Sequence, residues 1–322
     1  MQAIRVHQCG GPEALVLETL PTPEPGPGEA LVSVSAVGIN FIEVYQRSGH
    51  YPLPLPLAMG VEGAGVVKRL GPGDSPVAEG DRVTWVGGQG SYATEAIVPA
   101  DRLVPLPAGV DEDLAAAVML QGLTAHYLSR SSYQLKRGDT CLVHAAAGGV
   151  GQLLCQMAKL AGAKVIGTVS TEAKASIARA AGADEAINYE EDDFVERVKT
   201  LTRGAGVQVV YDGVGQNTFS PGLDCLAPRG YMVLFGGSSG PVAPFDPLTL
   251  SHKGSLYLHR PTLWDFISSR DELMARTTEM FGWVQSGKLK VTVAATFPLP
   301  EASEAHRLLV SREAAGKILL IP

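Results

Sequence analysis

A glycine-rich loop between a predicted strand and a predicted helix is the most specific chemical feature of this sequence. The segment HAAAGGVGQ, residues 144–152, follows an apolar run and opens a helical pattern. Ala146, Gly148 and Gly151 take the three positions of the G-x-G-x-x-G motif, which lets a backbone approach a pyrophosphate at a helix N-terminus. We expect Gly148, Gly149 and Val150 to bind a dinucleotide; the alternative is a tight turn without a ligand.

The end of the next predicted strand indicates which dinucleotide binds. NAD sites usually place Asp or Glu about 20 residues further on, where it accepts hydrogen bonds from the ribose hydroxyls. This sequence has Ser170 there, Lys174 one helical turn later and Tyr189 after the following strand. These groups suit the 2′-phosphate of NADPH, which an acid would repel. Glu172 is compatible with a bound 2′-phosphate only if its carboxylate points to solvent. Taken without its neighbours, Lys174 would be interpreted as an ordinary surface lysine.

Charge and cysteine content argue against other kinds of site. The 322 residues include 26 Lys plus Arg and 33 Asp plus Glu, a formal net charge of −7. We therefore expect no nucleic acid or membrane partner. The four cysteines form no C-x-x-C pair and the seven histidines no H-E-x-x-H motif, so no disulfide framework or metal site is predicted. The absence of an apolar h-region or membrane-length run predicts a cytoplasmic protein.

The glycine loop belongs to a region of alternating strands and helices. This alternation predicts an α/β fold with a doubly wound, six-stranded parallel Rossmann sheet. The predicted strands are TCLVH (140–144), KVIGTV (164–169), EAINY (185–189), VQVVYD (207–212), GYMVLFG (230–236) and SLYLHR (255–260). Acids at 190–193, followed by Lys199 and Arg203, predict the two ends of one helix.

β structure precedes this region and returns after it. The pattern predicts two domains, consistent with about 150 residues per domain. Residues 1–120 and 261–322 form a β-rich domain, and the cofactor-binding domain 121–260 is inserted into it, with a ligand cleft between them. The predicted elements outside the insertion are strands at 30–39, 81–86, 93–98, 291–297 and 316–321 and helices near 270–287 and 301–313.

Seven motifs spread over nearly the whole chain carry a family resemblance. They are GGPEALVL (10–17), GINFIEVYQRSGHYP (38–52), MGVEGAGVV (59–67), GDRV (80–83), GDTCLVHAAAGGVGQLLCQMAK (138–159), GTVST (167–171) and GKILLIP (316–322). Together they resemble the medium-chain dehydrogenase/reductase superfamily, in its zinc-independent quinone oxidoreductase (zeta-crystallin-like) branch. The resemblance implies a GroES-like catalytic domain beside the Rossmann domain, and a homodimer formed through the edge strand 255–260 of the Rossmann sheet.

The residues that hold zinc in metal-dependent members of this superfamily are replaced. Those members have Cys where this chain has Asn40, and a G-H-E motif where it has Gly60, Val61 and Glu62. Catalytic zinc needs about three Cys, His or carboxylate ligands, and only Glu62 remains. The four-cysteine lobe that binds the structural zinc has no counterpart either. Alcohol oxidation loses the Lewis acid that stabilises its alkoxide, so reduction of an already electrophilic acceptor is favoured.

The predicted function is that of an NADPH-dependent quinone reductase, an NADPH:quinone oxidoreductase without zinc. One alternative is an NADPH-dependent enoyl or enone reductase, which would share the fold and cofactor. Another is a non-enzymatic structural or RNA-binding role, as in some zeta-crystallin relatives, although the net charge of −7 argues against RNA. No residue is predicted as a proton donor, because a quinone can take its proton from solvent.

The resemblance also implies several site residues. Asn40, Tyr45 and Tyr51 are implied catalytic residues, which face the nicotinamide or line the substrate cleft, and Asn40, Tyr45 and Tyr127 are implied cofactor contacts. Asn40 could instead cap a turn, and Tyr127 could belong to the core.

The remaining expected cofactor contacts follow from position in the chain. The loops after the fourth and fifth predicted strands should carry ligand contacts, because ligands bind at the ends of the strands in such sheets. These contacts are Val214, Phe235, Gly236 and Ser238. Arg312, close to the C-terminus, could reach a cofactor phosphate or be an exposed helix-end residue.

Overall fold

A computed structural model describes the whole chain, residues 1–322. The chain forms two compact units, and each is described by itself. The first unit comprises residues 1–121, 267–286 and 291–322, and the second comprises residues 122–266 and 287–290.

Strands dominate the first unit, and strands and helices alternate in the second. The strands are β1 (Gln2–Val6), β2 (Val16–Thr19), β3 (Glu29–Ile39), β4 (Leu57–Ala58), β5 (Glu62–Leu70), β6 (Arg82–Val86), β7 (Glu95–Pro99), β8 (Val104–Pro105), β9 (Thr140–Val143), β10 (Lys164–Val169), β11 (Glu185–Asn188), β12 (Val207–Asp212), β13 (Leu226–Leu234), β14 (Tyr257–His259), β15 (Val293–Pro298) and β16 (Lys317–Ile321). The α-helices are α1 (Phe41–Arg47), α2 (Glu112–Tyr127), α3 (Gly149–Leu160), α4 (Glu172–Ala180), α5 (Phe194–Leu201), α6 (Phe219–Leu223), α7 (Leu248–His252), α8 (Arg270–Gln285) and α9 (Ala302–Ser311).

The second unit contains the predicted doubly wound sheet. Its six strands lie in the order β11-β10-β9-β12-β13-β14, and every neighbouring pair is parallel. The order reverses direction between β9 and β12, so the loops that follow these strands diverge and leave a crevice where ligands bind in such sheets. The predicted α/β fold class is confirmed. The sixth strand is shorter than predicted, because Ser255 turns with a positive φ of 57° before it.

The predicted helix over the acidic run 190–193 begins later than expected. Only Asp193 belongs to it, as the N-cap of α5, where its carboxylate accepts hydrogen bonds from the backbone N–H groups of Val195 and Glu196. The preceding acids lie in a turn closed by bonds to the carbonyl oxygen of Asn188. Arg203 lies beyond the helix and has a positive φ of 53°. A short side-chain acceptor therefore sets the start of this helix more strongly than the acidic run does.

The first unit is built around β3, the longest strand. Its seven-stranded sheet has the order β15-β16-β3-β5-β6-β8, and β7 pairs with the first half of β3. The closing strand β16 pairs antiparallel with the end of β3, so the C-terminal segment adds a strand to the N-terminal β structure. A buried cluster that includes Trp85, Tyr92 and Met59 fills the interior. A smaller three-stranded sheet has the order β2-β1-β4.

Two glycines of the first unit should respond in opposite ways to alanine substitution. A Cβ on Gly65 in β5 would overlap the carbonyl oxygen of Ser33 on β3, whereas a Cβ on Gly282 in α8 meets nothing within 4 Å. We expect Gly65→Ala to lower the free energy of unfolding by about 3 kcal/mol or more. Gly282→Ala should raise it by about 0.5–1 kcal/mol. Urea denaturation measures both, and equal effects would contradict the expected β3–β5 packing.

Candidate functional site

The glycine-rich loop of the second unit connects β9 to α3 and exposes the N-terminus of that helix. Gly148 is the N-cap residue of α3 and has an extended backbone, so the first unpaired helical N–H groups follow at Gly149 and Val150. A Cβ on Gly151 would overlap the carbonyl oxygen of Ala145. Glycine is therefore required at 151, in agreement with the motif, and the loop presents backbone donors where a pyrophosphate would bind.

A glycine on the neighbouring strand makes room for Ala146 at the first motif position. Ala146 is fully buried, and its backbone N–H donates to the carbonyl oxygen of Thr168 at 3.1 Å. A Cβ on Gly167 in β10 would lie only 2.6 Å from the Cβ of Ala146. The left-handed residue of the loop is Ala145, with φ 53°. Gly167 thus leaves space for the methyl group of Ala146, which stands where the motif has its first glycine.

The three residues predicted to recognise a 2′-phosphate lie together at the ends of β10 and β11. The ammonium of Lys174 donates to the hydroxyl of Ser170 at 3.1 Å. The backbone N–H of Tyr189 donates to the carbonyl oxygen of Val169 at 3.0 Å, and 42% of the tyrosine is exposed. No acidic residue lies at the end of β10. The side chains at this edge of the sheet are instead one cation, Lys174, and two that bear hydroxyl groups, Ser170 and Tyr189.

Glu172 does not oppose an anion at this edge, because its carboxylate has a partner of its own. Its Oε1 accepts a hydrogen bond from the guanidinium of Arg179 at 2.7 Å, and the pair lies on the exposed side of α4. Lys174 follows on the first turn of the same helix, whose N-cap is Thr171. The first acid after β10 is thus paired with an arginine two turns along the helix.

Asp212, at the end of β12, holds the next loop, and sequence reasoning treated it only as the end of a strand. Its buried carboxylate accepts hydrogen bonds from the backbone N–H groups of Val214 at 2.7 Å and Gly215 at 2.9 Å. The hydroxyl of Thr218 donates to both carboxylate oxygens. An acid placed directly before the sequence G-V-G was the available signal. The predicted contact residue Val214 is therefore fixed by a carboxylate behind it.

The loop after β13 packs against the loop after β12. The backbone N–H of Phe235 donates to the carbonyl oxygen of Asp212 at 2.8 Å, and that of Ser238 donates to Gly213 at 3.1 Å. Gly213 leaves space for the phenyl ring of Phe235, since a Cβ there would lie 2.8 Å from the ring. Gly236 likewise bonds to Asp212. The structure thus brings the predicted contacts Val214, Phe235, Gly236 and Ser238 together at one edge of the sheet.

In the first unit, Asn40 belongs to a buried group of polar side chains. The Asn40 cluster consists of Asn40, Glu43, Glu62, Gln121 and Lys317, all of them less than a tenth exposed. The Nδ2 of Asn40 donates to Oε1 of Glu62 at 2.6 Å, and its Oδ1 accepts from Lys317 at 2.8 Å and from Gln121 at 3.3 Å. Asn40 also takes the N-cap position of α1. Its backbone therefore caps a helix while its side chain binds other elements.

Two charged groups of this cluster pair with each other. Glu62 meets only donors: Asn40 and Lys317 at Oε1, and the backbone N–H of Leu120 at Oε2, the last at 2.7 Å. Because both oxygens of Glu62 accept hydrogen bonds and one of the donors is an ammonium, Glu62 is a carboxylate paired with Lys317. Sequence reasoning missed Lys317; the available signal was a single lysine ahead of the apolar run ILLI.

Glu43 is the second carboxyl of the cluster, and its raised pKa favours the protonated form at neutral pH. Its Oε2 accepts the backbone N–H of Asn40 at 2.7 Å, and its Oε1 has no partner. Burial, and then the nearby Glu62 carboxylate, raise the pKa of Glu43 to about 8, although the Lys317 ammonium lowers it. The cluster thus holds one negative and one positive charge in an interior that would strongly penalise an unbalanced charge.

The other two residues implied as catalytic form an aromatic group next to Asn40 in sequence. The rings of Tyr45 and Tyr51 are 5.1 Å apart, and each lies within 5.5 Å of the His50 ring. The backbone N–H of Tyr51 donates to the carbonyl oxygen of Tyr45 at 3.0 Å. Tyr51 is 36% exposed. The structure therefore gathers the two tyrosines into one partly exposed surface.

Tyr127 and Arg312 both lie at the C-terminal ends of helices. Tyr127 is buried at the end of α2, and its ring stacks on Phe266 with centroids 4.4 Å apart. Burial raises the pKa of its phenol. Arg312 is the C-cap residue of α9 in a left-handed conformation with φ 62°. Their contact with a cofactor stays a prediction.

Comparison with known proteins gives the family. Residues 149–275 match the family described as zinc-binding dehydrogenase, and residues 26–108 match the alcohol dehydrogenase GroES-like domain. The chain is 46% identical over 323 residues to quinone oxidoreductase 1 of Escherichia coli (strain K12), with 99% of both chains covered. It is 41% identical over 331 residues to 2-haloacrylate reductase of a Burkholderia species, with 100% of this chain and 99% of the relative covered.

A solved structure agrees with these relatives. The crystal structure of Escherichia coli quinone oxidoreductase complexed with NADPH matches with a TM-score of 0.98 at 46% identity, and covers 100% of both chains. The chain belongs to the quinone oxidoreductase branch of the medium-chain dehydrogenase/reductase superfamily. This confirms the predicted resemblance. None of the helices is both long and apolar enough to cross a membrane.

The residues of this quinone oxidoreductase family member do not fit the zinc ion that one family description implies. Asn40 and Val61 are poor zinc ligands, and both oxygens of Glu62 are already bonded to donors. No group of three or more His, Cys, Asp or Glu side chains in the 322 residues is arranged to hold a metal ion. The three predicted ligand positions thus lack the donor set of a zinc site.

Glu43→Gln should change how stability depends on pH. The pKa of Glu43 is raised from 4.5 to about 8 in the folded protein, so the unfolded chain releases its proton first as pH rises. The resulting stabilisation is complete below pH 4.5 and is lost through pH 8, by at most about 1.4 kcal/mol per pH unit. Glutamine mimics the neutral acid and should remove this dependence.

Urea denaturation of both proteins at pH 5, 6, 7 and 8 measures the difference between their slopes. The groups that face Glu43 (Asn40, Glu62, Lys317 and, with weaker influence, Tyr92) are the same in both proteins, so their titration cancels. The control is Glu191→Gln on the exposed turn before α5. Parallel pH dependences for the wild type and E43Q would show that Glu43 is not a neutral buried acid.

Proposed function

We propose that this protein is an NADPH-dependent quinone reductase that transfers hydride from the nicotinamide to a quinone or similar electrophilic acceptor without zinc. The observation that carries the proposal is the full-length similarity to a quinone oxidoreductase solved with NADPH. The cation at the end of β10 and the misfit of the zinc positions support it. A non-enzymatic role has no comparable support.

The chain's own groups suffice to hold the cofactor. The N–H groups of Gly149 and Val150 would bind the pyrophosphate, which Gly148 lets approach the backbone, while the N–H of Gly148 itself donates to Ala145. Ser170, Lys174 and Tyr189 would bind the 2′-phosphate. The loops that contain Val214 and residues 235–238 would border the ribose and nicotinamide. Bound NADPH supplies the hydride. We propose residues 121–260 as the cofactor-binding domain, and residues 1–120 and 261–322 as the catalytic domain.

The catalytic domain would orient the acceptor. One hydrogen of the Asn40 Nδ2 binds Glu62, and the amide carries a second hydrogen that can be donated to a carbonyl oxygen. Tyr45 and Tyr51 offer an aromatic surface against which a flat quinone can pack. Tyr127 and Arg312 are proposed as further cofactor contacts. Hydride addition plus one proton from solvent converts the quinone to a hydroquinone, so no residue has to act as an acid.

A reduction of activated alkenes is the second candidate. A relative named 2-haloacrylate reductase is 41% identical over the whole chain. In that reaction the hydride would add to the electrophilic alkene carbon and a proton to its neighbour, with the same cofactor and the same carbonyl contact. The acceptor, not the fold, distinguishes the two functions.

We also propose a cytoplasmic homodimer that forms through β14. This strand is at the edge of the six-stranded sheet, and Tyr257 on it is 51% exposed. An unpaired edge with exposed apolar side chains favours pairing with the same edge of a second copy.

The substrate class is tested with a panel of quinones and α,β-unsaturated carbonyl compounds. We expect quinones to give the highest kcat/KM for NADPH oxidation, because their reduction needs no Lewis acid. A preference for unsaturated acids or ketones would establish the alkene reductase instead. If no acceptor oxidises NADPH, both enzymatic functions are wrong.

Lys174→Ala should weaken NADPH binding selectively. Loss of one charge-assisted hydrogen bond to the 2′-phosphate is expected to raise the KM for NADPH by about 10- to 100-fold and to leave the KM for NADH nearly unchanged. The matched control is Lys199→Ala on α5, whose ammonium pairs with Glu196 instead. Equal effects of K174A on both cofactors would overturn the assignment of the 2′-phosphate site.

A further inference from the structure

Lys317 is a lysine with no exposed surface, located at the first residue of the closing strand β16. Its ammonium contacts Oδ1 of Asn40 at 2.8 Å and also Oε1 of Glu62. These partners lie 277 and 255 residues away in the sequence. Burial of an ammonium is costly unless it is paired and hydrogen-bonded, so the fold supports this contact at an energetic cost.

The bonds around Asn40 define which way its side-chain amide faces. An amide oxygen accepts and an amide nitrogen donates, and the two ends are otherwise similar in shape. Here the oxygen faces two donors, Lys317 and Gln121, while the nitrogen faces the carboxylate of Glu62. A flipped amide would place donors against donors and an acceptor against the carboxylate. Only one orientation of the Asn40 amide is therefore compatible with the Lys317–Glu62 ion pair.

This ion pair lies where zinc-dependent relatives carry metal ligands, at the positions of Asn40 and Glu62. Here the cation beside Asn40 and Glu62 is the Lys317 ammonium. Gly38 leaves the room for it, since a Cβ there would lie 2.5 Å from Cε of Lys317. The fold thus makes room for a buried cation next to the Asn40 side chain.

We propose that the Lys317–Glu62 ion pair is a positioning device that holds the Asn40 amide with its N–H group toward the acceptor. The orientation makes Asn40 a donor to the carbonyl oxygen on which negative charge develops during hydride transfer. This inference rests on the proposed function for its catalytic meaning. The orientation of the amide itself is independent of that function.

Two variants separate positioning from a structural role. Lys317→Met leaves Glu62 as an unbalanced buried charge, so we expect a lower melting temperature and a lower kcat. In the double variant K317M/E62Q the charge is removed. The glutamine oxygen must then accept from the N–H of Leu120, which leaves its NH₂ group facing Asn40. Asn40 has to flip to accept from that group, and it then presents its oxygen to the acceptor.

The double variant should therefore regain thermal stability without regaining activity. We expect its kcat with a quinone to stay about 100-fold below wild type, the effect of losing one donor to a developing oxyanion, with the KM for NADPH little changed. Lys159→Met, which removes an exposed lysine paired with Asp184, is the matched control. Recovery of kcat together with the melting temperature would show that Lys317 is only structural. Should K317M fail to fold, the double variant alone decides.

A readout that does not use activity separates this inference from the proposed function. The side-chain NH₂ signals of Asn40 can be assigned by ¹⁵N NMR from their absence in Asn40→Asp. A proton in a 2.6 Å bond to a carboxylate is expected downfield in the wild type and should move upfield in K317M/E62Q. Unchanged signals overturn the positioning role, whereas a wild type that oxidises no NADPH overturns only the function.

Discussion

The buried pair between Lys317 and Glu62 is the constraint that fixes the geometry at Asn40 in the first unit. Two buried charges are costly to desolvate, and removal of either partner alone would leave the other uncompensated. The pair joins the last strand of the chain to β5, and through Asn40 to the start of α1. The pairing of β16 with β3 carries the ammonium to this place. The C-terminal segment is therefore necessary for the geometry at Asn40, although the two are distant in sequence.

The candidate site of the second unit depends on rigid loops, because it consists largely of backbone groups. Such groups can be presented to a ligand only if the loops that carry them are rigid. Gly151 permits close packing of α3 on the strand end, and Gly167 makes room for Ala146. Asp212 fixes the loop after β12 through three donors. The rigid features are thus two glycines and one buried carboxylate, placed behind the residues that would contact a cofactor.

The sequence was sufficient to predict the features that depend on local pattern. Alternation of apolar strands and helices predicted the six-stranded sheet, and the spacing of Gly148 and Gly151 predicted the loop between β9 and α3. The residues at 170, 174 and 189 could be grouped because strand ends in a parallel sheet lie at one edge. Local pattern failed for α5, where one capping aspartate, not the run of acids, sets the start of the helix.

Lys317 and Glu43 could not be predicted, because their roles arise from contacts across the fold. Lysine before an apolar strand is ordinarily solvent-exposed, and a glutamate on the first turn of α1 is ordinarily a charged, exposed group at the helix N-terminus. Burial reverses both expectations: it pairs the lysine and keeps the glutamate neutral. The charges of the two carboxyl groups, Glu43 and Glu62, and of the Lys317 ammonium sum to zero only if one carboxyl group is protonated.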